Sequence, residues 1–408
     1  MLGKWVSLLM KPRDFDWVLL FAVVALAGIG VGLIYSSTSG GGTGTWVERQ
    51  LVWVGLGLMA LMVAQFIPIK TYDVLAYVSY VAAVIVLVGM LAVSRGAGPE
   101  RWIGLGPVQV QPSEISKLVV VFALARYLSD KKKPGGFRSV LVPIALVAVP
   151  MILVARQPDL GTAIVFGATL FPMLYWAGME PIYVVLLVTP LVSMLCATAL
   201  VSWIVFVLCI LAILYFGKLR GGEAAVVLIL NFAIGIVTPF LWGKLEPYQK
   251  SRILAYVSPE KDPLGSGYQI LQSKVAIGSG GGLGKGFLEG TQKGLDFLPA
   301  RHTDFIFSVA GEEFGFLGSV VILGLFLIVM WRGIRVAREA KDKFASLTAI
   351  GITSILMFHV FVNIGMTVGL LPITGLPLPL LSYGGSSCLA FLGSAGILLS
   401  IGRSRRNV

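Results

Sequence analysis

The stretch FIFSVAGEEFGFLGSVVILGLFLIVMW, residues 305–331, decides the fold class of this chain. Glu312 and Glu313 are its only charged residues, and it exceeds the roughly 20 residues that an α-helix needs to cross the hydrocarbon core of a membrane. Backbone groups in lipid must find their hydrogen bonds within the spanning segment. The stretch therefore predicts a membrane-spanning helix.

Apolar runs of the same kind fill most of the chain. Hydrophobic residues make up 57% of the sequence and charged residues only 13%, and the mean hydropathy is +0.89, which excludes an ordinary soluble domain. The short alternating segments of a membrane β-barrel are absent. The net charge of +12 could suit nucleic acid, but the basic residues flank the apolar runs instead of forming one patch. We predict an all-α polytopic membrane protein with about twelve transmembrane helices, near residues 17–37, 47–67, 73–94, 114–129, 138–155, 160–178, 181–200, 202–217, 223–243, 305–331, 345–370 and 379–402.

The distribution of Lys and Arg in the short turns predicts the orientation of these spans. The N-terminus and the even-numbered turns are rich in both residues, whereas the odd-numbered turns carry few. Short basic turns stay in the cytoplasm, so both termini are expected there. We expect a single membrane domain over residues 1–408, with residues 244–304 forming a large extracytoplasmic loop.

The cysteine and histidine residues do not predict a metal site. Cys196, Cys209 and Cys388 lie in apolar runs and are interpreted as packing residues. His302 and His359 are far apart in the sequence, with no cysteine cluster to complete a zinc site. No internal repeat is visible, which argues against an inverted-repeat transporter.

The first polar segment of the extracytoplasmic side is RWIGLGPVQVQPSEISK, residues 101–117. Pro112 and Ser113 are typical of a helix start. Glu114 and Lys117 are three residues apart, so they share a helix face and can pair just inside the membrane. The pair is either a structural lock at the helix end or a charged anchor lining a polar cavity. The residue types leave both interpretations open.

The second polar segment is ARQPDLGT, residues 155–162. Asp159 follows a proline and suits the N-cap of the next helix. Its carboxylate could also hold a cation or orient a neighbouring base. Arg156 is well placed to bind a phosphate group on the outer face.

The third polar segment is the long loop itself. Asp262 lies in PEKDPLGSGY, residues 259–268, where the proline and the Gly-Ser-Gly turn hold the backbone extended and then bend it. A loop aspartate is usually only solvated. His302, near the end of the loop, is a weak signal taken alone.

The loop also contains the glycine-rich stretch GSGGGLGKG, residues 278–286. It fails the phosphate-binding P-loop pattern, because Ser279 stands where glycine is needed and Gly286 stands where Ser or Thr is needed. The stretch instead predicts a close backbone approach or a flexible flap.

Several ionisable or polar residues fall within predicted spans. Glu312 and Glu313 lie about two turns inside their span, where an unpaired charge is costly. Asp304 is eight residues before Glu312 and is expected to share its helix face. His359 and Asn363, one turn apart, are interpreted as an interhelical hydrogen-bonding pair.

These segments resemble the SEDS family of bacterial cell-wall polymerases, the RodA/FtsW/SpoVE proteins. The matching motifs are QPSEISK, QPDLGT, DPLGSGYQ, QSKVAIGSGG, FLPARHTDFIF, GEEFGF and LPITGLPLPLLSYGGSS, in the order of the family. The PEKDPLGSGYQ loop and the TGLPLP phrase resemble the rod-shape members more than the division members. The resemblance implies a SEDS-like helical bundle with a core of ten spans. Three spans precede the large loop where the family has one, so we expect an inserted helix pair within residues 181–243.

The resemblance also implies a function. Family members are peptidoglycan glycosyltransferases of the bacterial cytoplasmic membrane, which polymerise lipid II into glycan strands, release undecaprenyl pyrophosphate and support cell elongation and rod shape. Their partner is a class B penicillin-binding protein, which crosslinks the strands. The essential loop aspartate of the family falls on Asp262, its buried Glu–Lys pair on Glu114 and Lys117, and a further functional aspartate on Asp159.

The residues support a chemical hypothesis for this reaction. Asp262 would act as the general base on the acceptor hydroxyl. A divalent cation, Mg²⁺ or Mn²⁺, or the side chains of Arg101, Arg156 and Lys117 would hold the pyrophosphate. Gln111 and His302 are expected to support substrate binding.

Two other functions are compatible with the sequence. A lipid II flippase or transporter would use the buried charges along a pathway, but such a pathway should carry charges on both faces. A non-catalytic scaffold for a transpeptidase would not need the ordered Asp, Glu–Lys and glycine motifs.

Overall fold

The computed structural model describes residues 15–38, 44–93, 101–105, 108–131, 135–197, 199–217, 221–244, 247–257, 266–291 and 300–404. Over these ranges the chain forms helices α1 (Trp17–Thr38), α2 (Gly44–Phe66), α3 (Ile69–Val93), α4 (Pro112–Asp130), α5 (Leu141–Ala155), α6 (Leu160–Trp176), α7 (Pro181–Cys196), α8 (Leu200–Phe216), α9 (Gly221–Lys244), α10 (Pro247–Val257), α11 (Ser266–Ser279), α12 (Ile306–Glu339), α13 (Lys343–Thr367) and α14 (Gly385–Ser404). Strands β1 (Ile103–Leu105) and β2 (Val108–Val110) form an antiparallel hairpin that pairs Ile103 with Val110.

Each of the predicted spans coincides with one of the helices α1–α9 and α12–α14. Within the described ranges, eight helices are long and apolar enough to cross a membrane by length and composition. Helices α6, α7 and α8 are apolar but shorter, and α4 carries the charges of Glu114 and Lys117 near its start. The prediction of an all-α polytopic membrane protein is confirmed.

Two helix boundaries differ from the prediction by more than the others. Helix α14 begins at Gly385 instead of near residue 379, because the preceding segment contains prolines, which cannot donate to a helical hydrogen bond. Helix α12 continues to Glu339, beyond the predicted end near residue 331. Its extension is anchored to the start of α1, since Arg332 forms an ion pair with Asp16 at 2.6 Å.

Helices α13 and α14 form the centre of the bundle. In their most apolar windows 78% and 83% of the residues are buried, against 44% for α1, so these two helices are enclosed by protein rather than by lipid. Helix α13 packs against α4, α6 and α12, and α14 packs along α2. A Cβ at Gly396 would lie 2.9 Å from the Cα of Leu61, so a small residue lets α14 and α2 approach closely.

Helices α7, α8 and α9, which include the expected inserted pair, form a unit at the edge of the bundle. They have a hydrophobic cluster of their own, centred on Leu186, Ile210 and Val227. Asn231 of α9 donates to Thr189 of α7 at 3.0 Å, a hydrogen bond within this unit. Helix α7 is the member that also packs against α6.

One end of the bundle, the loop face, comprises the described segments 101–105, 108–111, 155–160, 247–257, 266–291, 300–305 and 368–384. The β-hairpin and helices α10 and α11 lie in these segments and were not predicted. Helix α11 packs against α12, where Ile270 joins Phe305 and Met366 in a small hydrophobic cluster. The long polar segment therefore contains folded elements that pack on the bundle.

Helix α12 is broken near its loop-face end. Gly315 has φ 63° and ψ −159°, which ends the helical hydrogen-bond pattern there. The glycine-rich stretch fills the break with four backbone hydrogen bonds of 2.9–3.0 Å: Lys285 and Gly286 donate to the carbonyls of Glu312 and Glu313, and Phe316 and Leu317 donate to those of Gly281 and Gly282. Non-helical backbone at membrane depth is tolerated where protein satisfies it. The predicted close backbone approach is confirmed.

Candidate functional site

A buried ion pair lies one turn inside the loop face. Lys117 donates to Oε1 of Glu114 at 2.8 Å, and the two residues are 2% and 3% exposed. Pro112 begins α4, so both side chains project from its first turns toward α13. The predicted contact between the two residues is confirmed by this distance. Both charges are removed from water, so the fold depends on their mutual pairing.

The ammonium group of Lys117 has a second partner that the sequence did not predict. Its Nζ lies 2.9 Å from Nε2 of His359, a fully buried side chain on α13. Nδ1 of the same ring lies 3.3 Å from the carbonyl oxygen of Pro377 in the segment before α14. The ring of Phe391 packs against both groups, at 5.2 Å from the His359 ring and 5.9 Å from Nζ.

A small cavity borders the ion pair. It has a volume of about 10 Å³ and is lined by both charged residues together with Leu118, Ile352, Ile355, Ala390, Phe391 and Ser394. Oε2 of Glu114 has no hydrogen-bond partner among the described residues. A cavity of this size holds about one water molecule, which would satisfy that oxygen.

Asp159 caps α6 and joins two polar segments of the loop face. Its Oδ1 accepts from the backbone N–H of Thr162 at 3.1 Å, which confirms the predicted N-cap. Its Oδ2 accepts from Nε2 of Gln111, the residue before α4, at 2.9 Å. The start of α6 is thereby tied to the helix that carries the ion pair.

Arg101 and Arg156 have different environments. Nε of Arg101 donates to the carbonyl of Gln157 at 2.8 Å, and Nη2 donates to the carbonyl of Pro158. These bonds hold the turn that precedes Asp159. Arg156 is exposed, and its guanidinium forms no hydrogen bond or ion pair with the described residues.

Replacing Arg101 by Lys should loosen this turn. A single ammonium cannot reproduce two guanidinium bonds to adjacent carbonyls, so we expect a loss of about 1–3 kcal/mol in the free energy of unfolding. Arg156→Lys, a neighbouring exposed arginine, is the matched control and should change stability by less than about 0.5 kcal/mol. Unfolding of the two purified variants measures the difference, and equal stabilities would contradict the assignment.

His302 lies in an aromatic cluster on the loop face. Its ring centroid is 4.9 Å from that of Trp46 and 6.0 Å from that of Tyr383. Its carbonyl accepts from the backbone N–H of Tyr383 at 2.8 Å, which joins the long loop to the segment before α14. Burial, together with the neighbouring Arg301, lowers the pKa of His302 below its usual value of 6.5. The ring is therefore neutral at pH 7.

Glu312 and Glu313 are buried and partnered. Oε1 of Glu312 accepts from Lys285 Nζ at 2.7 Å and from the backbone N–H of Thr291 at 2.8 Å. Glu313 accepts from the hydroxyl of Ser36 on α1. The two carboxylates hold the glycine-rich stretch and α1 against the broken helix.

The expectation that Asp304 shares a helix face with Glu312 is wrong. Helix α12 begins at Ile306, so Asp304 precedes it and its direction does not follow helical periodicity. The position of a Cβ on Gly375 would lie 3.7 Å from the carboxylate of Asp304 and 3.6 Å from the guanidinium of Arg252. Both side chains therefore converge on the segment before α14.

Asp304 should make stability depend on pH. Burial raises its pKa above the ordinary 3.8, and Arg252 and Thr303 oppose this shift. Folding therefore favours the protonated carboxyl of Asp304. The stability that this protonation contributes is complete below pH 3.8 and is lost as the pH rises through the folded-state pKa. We expect Asp304→Asn to be more stable than the wild type at pH 7, by a margin that narrows toward pH 4. A margin independent of pH in unfolding experiments would contradict this expectation.

Asp262 lies outside the described residues, between α10 and α11. Of the other predicted site residues, Gln111, Asp159 and Arg101 come together, with Glu114 and Lys117 one turn below them. His302 lies on the same face but in the separate aromatic cluster. The sequence did not predict Arg252 or Lys285 as site residues. It predicted His359 as a hydrogen-bonding residue between helices, whereas an ionisable group within a span is also a signal of function.

Comparison with known proteins relates this site to a family. The FtsW/RodA/SpoVE family model, described as a cell cycle protein, matches residues 16–204 and 181–407. The chain is 38% identical to the peptidoglycan glycosyltransferase MrdB of Escherichia coli K12, with 92% of this chain and 90% of that protein covered. One similar solved structure is described as a peptidoglycan synthase complex that coordinates polymerization and crosslinking. The match covers 97% of this chain and 99% of the chain in that structure, at 31% identity and a TM-score of 0.72. The rod shape determining protein RodA of Thermus thermophilus matches 97% of this chain and 98% of its own, at 28% identity and a TM-score of 0.64. The chain therefore belongs to the FtsW/RodA/SpoVE family.

Proposed function

We propose that this chain, a peptidoglycan glycosyltransferase of the FtsW/RodA/SpoVE family, polymerises lipid II into glycan strands for cell elongation and rod shape. One observation on the structure supports this proposal independently of the names of the relatives. Among the described residues, the buried Glu, Lys and His side chains all lie toward the loop face: Glu114, Lys117, Glu312, Glu313 and His359. Charged groups in a membrane bundle are costly and mark functional regions. A lipid-linked sugar with its head group at the membrane surface would meet this face.

The proposed reaction is a direct inverting displacement. The acceptor 4-hydroxyl attacks the anomeric carbon of the donor sugar, the new O–C bond forms, and the bond from that carbon to the pyrophosphate oxygen breaks. The hydroxyl proton passes to Asp262, and the electron pair leaves with undecaprenyl pyrophosphate. One carboxylate suffices for this route, whereas a retaining route would need a second as nucleophile.

The described cations divide into two groups for this reaction. Lys117 is buried and Arg101 holds backbone carbonyls, so these two position the site rather than bind pyrophosphate. Arg156 is exposed on the loop face, as is Lys274 of α11. These two are the side chains that we propose for the pyrophosphate.

A divalent cation, Mg²⁺ or Mn²⁺, is part of the proposal. Among the described residues no group of three His, Cys, Asp or Glu side chains comes together. Magnesium usually keeps several waters and binds substrate phosphates, so the lipid pyrophosphate would supply its ligands while Asp262 acts as the base. When bound, the cation would neutralise charge on the leaving group.

The proposal extends to partner and location. The matched peptidoglycan synthase complex supports a class B penicillin-binding protein as partner, which would crosslink the strands. The chain is a multi-pass membrane protein. We propose the bacterial cytoplasmic membrane, with both termini in the cytoplasm and the loop face outside, because the short turns of the opposite face carry the Lys and Arg clusters.

Reconstitution into vesicles separates this function from the alternatives. Labelled lipid II is supplied with the purified chain alone, and polymer and transbilayer movement are measured in the same vesicles. Glycan strands support the proposal. Movement without strands would favour a flippase, and neither product would favour a scaffold for a transpeptidase.

A further inference from the structure

A continuous set of polar contacts links the buried ion pair to the segment before α14 through α13. Lys117 Nζ lies between Oε1 of Glu114 at 2.8 Å and Nε2 of His359 at 2.9 Å. His359 Nδ1 then meets the carbonyl of Pro377 at 3.3 Å. These contacts join α4, α13 and the segment before α14, elements that are distant in the sequence.

The chemistry of these groups sets their hydrogen-bond roles. An ammonium group has donors and no acceptor, so Nε2 of His359 accepts from Lys117. A neutral imidazole with Nε2 as acceptor carries its proton on Nδ1, and that N–H donates to Pro377. His359 is therefore hydrogen-bonded both to Lys117 and to the segment 371–384.

The segment 371–384 is clamped at its middle by α13. Asn363, one turn after His359, donates to the carbonyl of Leu376 at 2.8 Å and to that of Asp304 at 3.0 Å. Ser382 donates to the carbonyl of Thr303 at 2.5 Å. A change at Pro377 would therefore reach Asp304 and its neighbour Arg252, which lies on the helix before Asp262.

We infer that His359 is a positioning residue for glycan polymerisation. It joins the ammonium group of Lys117 to the segment 371–384 and so holds that segment against residues 302–304, which precede α12. The inference rests on the proposed function and deepens it, because it assigns the buried ion pair a role in positioning the segment 371–384. His359 is fully buried, so a substrate bound at the loop face would not contact it. Its loss should therefore lower kcat and leave KM unchanged.

Three variants test this role in the purified full chain with labelled lipid II. His359→Leu removes both hydrogen bonds at similar volume. His359→Gln keeps one acceptor and one donor. Phe391→Leu is the matched control, since it removes packing from the same ring without removing a hydrogen bond. Rates are normalised to folded protein.

We expect His359→Leu to lower kcat by about tenfold to hundredfold with KM within about twofold, because a hydrogen bond to a charged group is lost. His359→Gln should recover to within about threefold of wild type, and Phe391→Leu should keep its kcat. A kcat for His359→Leu within threefold of wild type would overturn the inference, as would a His359→Gln variant as slow as His359→Leu.

If His359→Leu does not fold, His359→Asn takes its place, because its shorter amide cannot reach both partners. A slow His359→Asn variant beside an active His359→Gln variant supports the inference, and equal rates overturn it. The wild type in the same assay distinguishes a failure of the proposed function from a failure of the role of His359. No strands from folded wild type would count against the proposed function, whereas active wild type with equally active variants counts against His359 alone.

Discussion

Replacing Asp262 by Asn is expected to lower the rate of glycan polymerisation by about 10²–10⁴-fold, the usual contribution of a general base. The amide keeps the size of the side chain but cannot take the proton of the acceptor hydroxyl. The loop position should tolerate the substitution, so the yield of folded protein should stay the same. The measurement is strand synthesis from labelled lipid II at several substrate concentrations.

Asp262→Glu is the control that separates basicity from position. It keeps the carboxylate, so it should retain more activity than Asp262→Asn if proton transfer is the function of this residue. Wild-type rates in the Asn variant would refute the assignment of Asp262 as the base. A change in KM alone would assign the residue to binding instead.

Replacing Lys117 by Met is expected to destabilise the fold by about 3–5 kcal/mol. The change removes the partner of Glu114, a carboxylate that is 3% exposed, and leaves an uncompensated buried charge. Unfolding of the detergent-solubilised variant measures the loss in free energy.

Two further variants make this prediction specific. The double variant Glu114→Gln with Lys117→Met removes both charges and should recover most of the stability. The ion pair of Arg126 with Asp73 is partly exposed, so Arg126→Met should cost far less stability than Lys117→Met. A Lys117→Met variant as stable as the wild type would contradict the claim that Lys117 compensates a buried charge on Glu114.

The membrane spans could be predicted from the sequence because hydropathy is a local property. The stretch 305–331 and its counterparts each contain enough apolar residues to identify a helix without knowledge of its neighbours. The N-cap role of Asp159 and the pairing of Glu114 with Lys117 were predictable for the same reason, since each depends on residues within one helical turn.

Contacts between distant segments could not be predicted in this way. Lys117 and His359 are 242 positions apart, and no periodicity connects them. The break at Gly315 depends on the glycine-rich stretch that fills it. Residues 305–331 taken alone therefore predict one continuous helix. Helix α11 escaped prediction because its 14 residues are too short and too polar to resemble a membrane span.

The most direct test of the account is glycan strand synthesis by the purified wild-type chain, without a penicillin-binding protein, from labelled lipid II and Mg²⁺ or Mn²⁺. The account predicts strands resolved by length, together with released undecaprenyl pyrophosphate in equal number to the bonds formed. Folded chain that binds lipid II but yields neither product, with and without the cation, would contradict it.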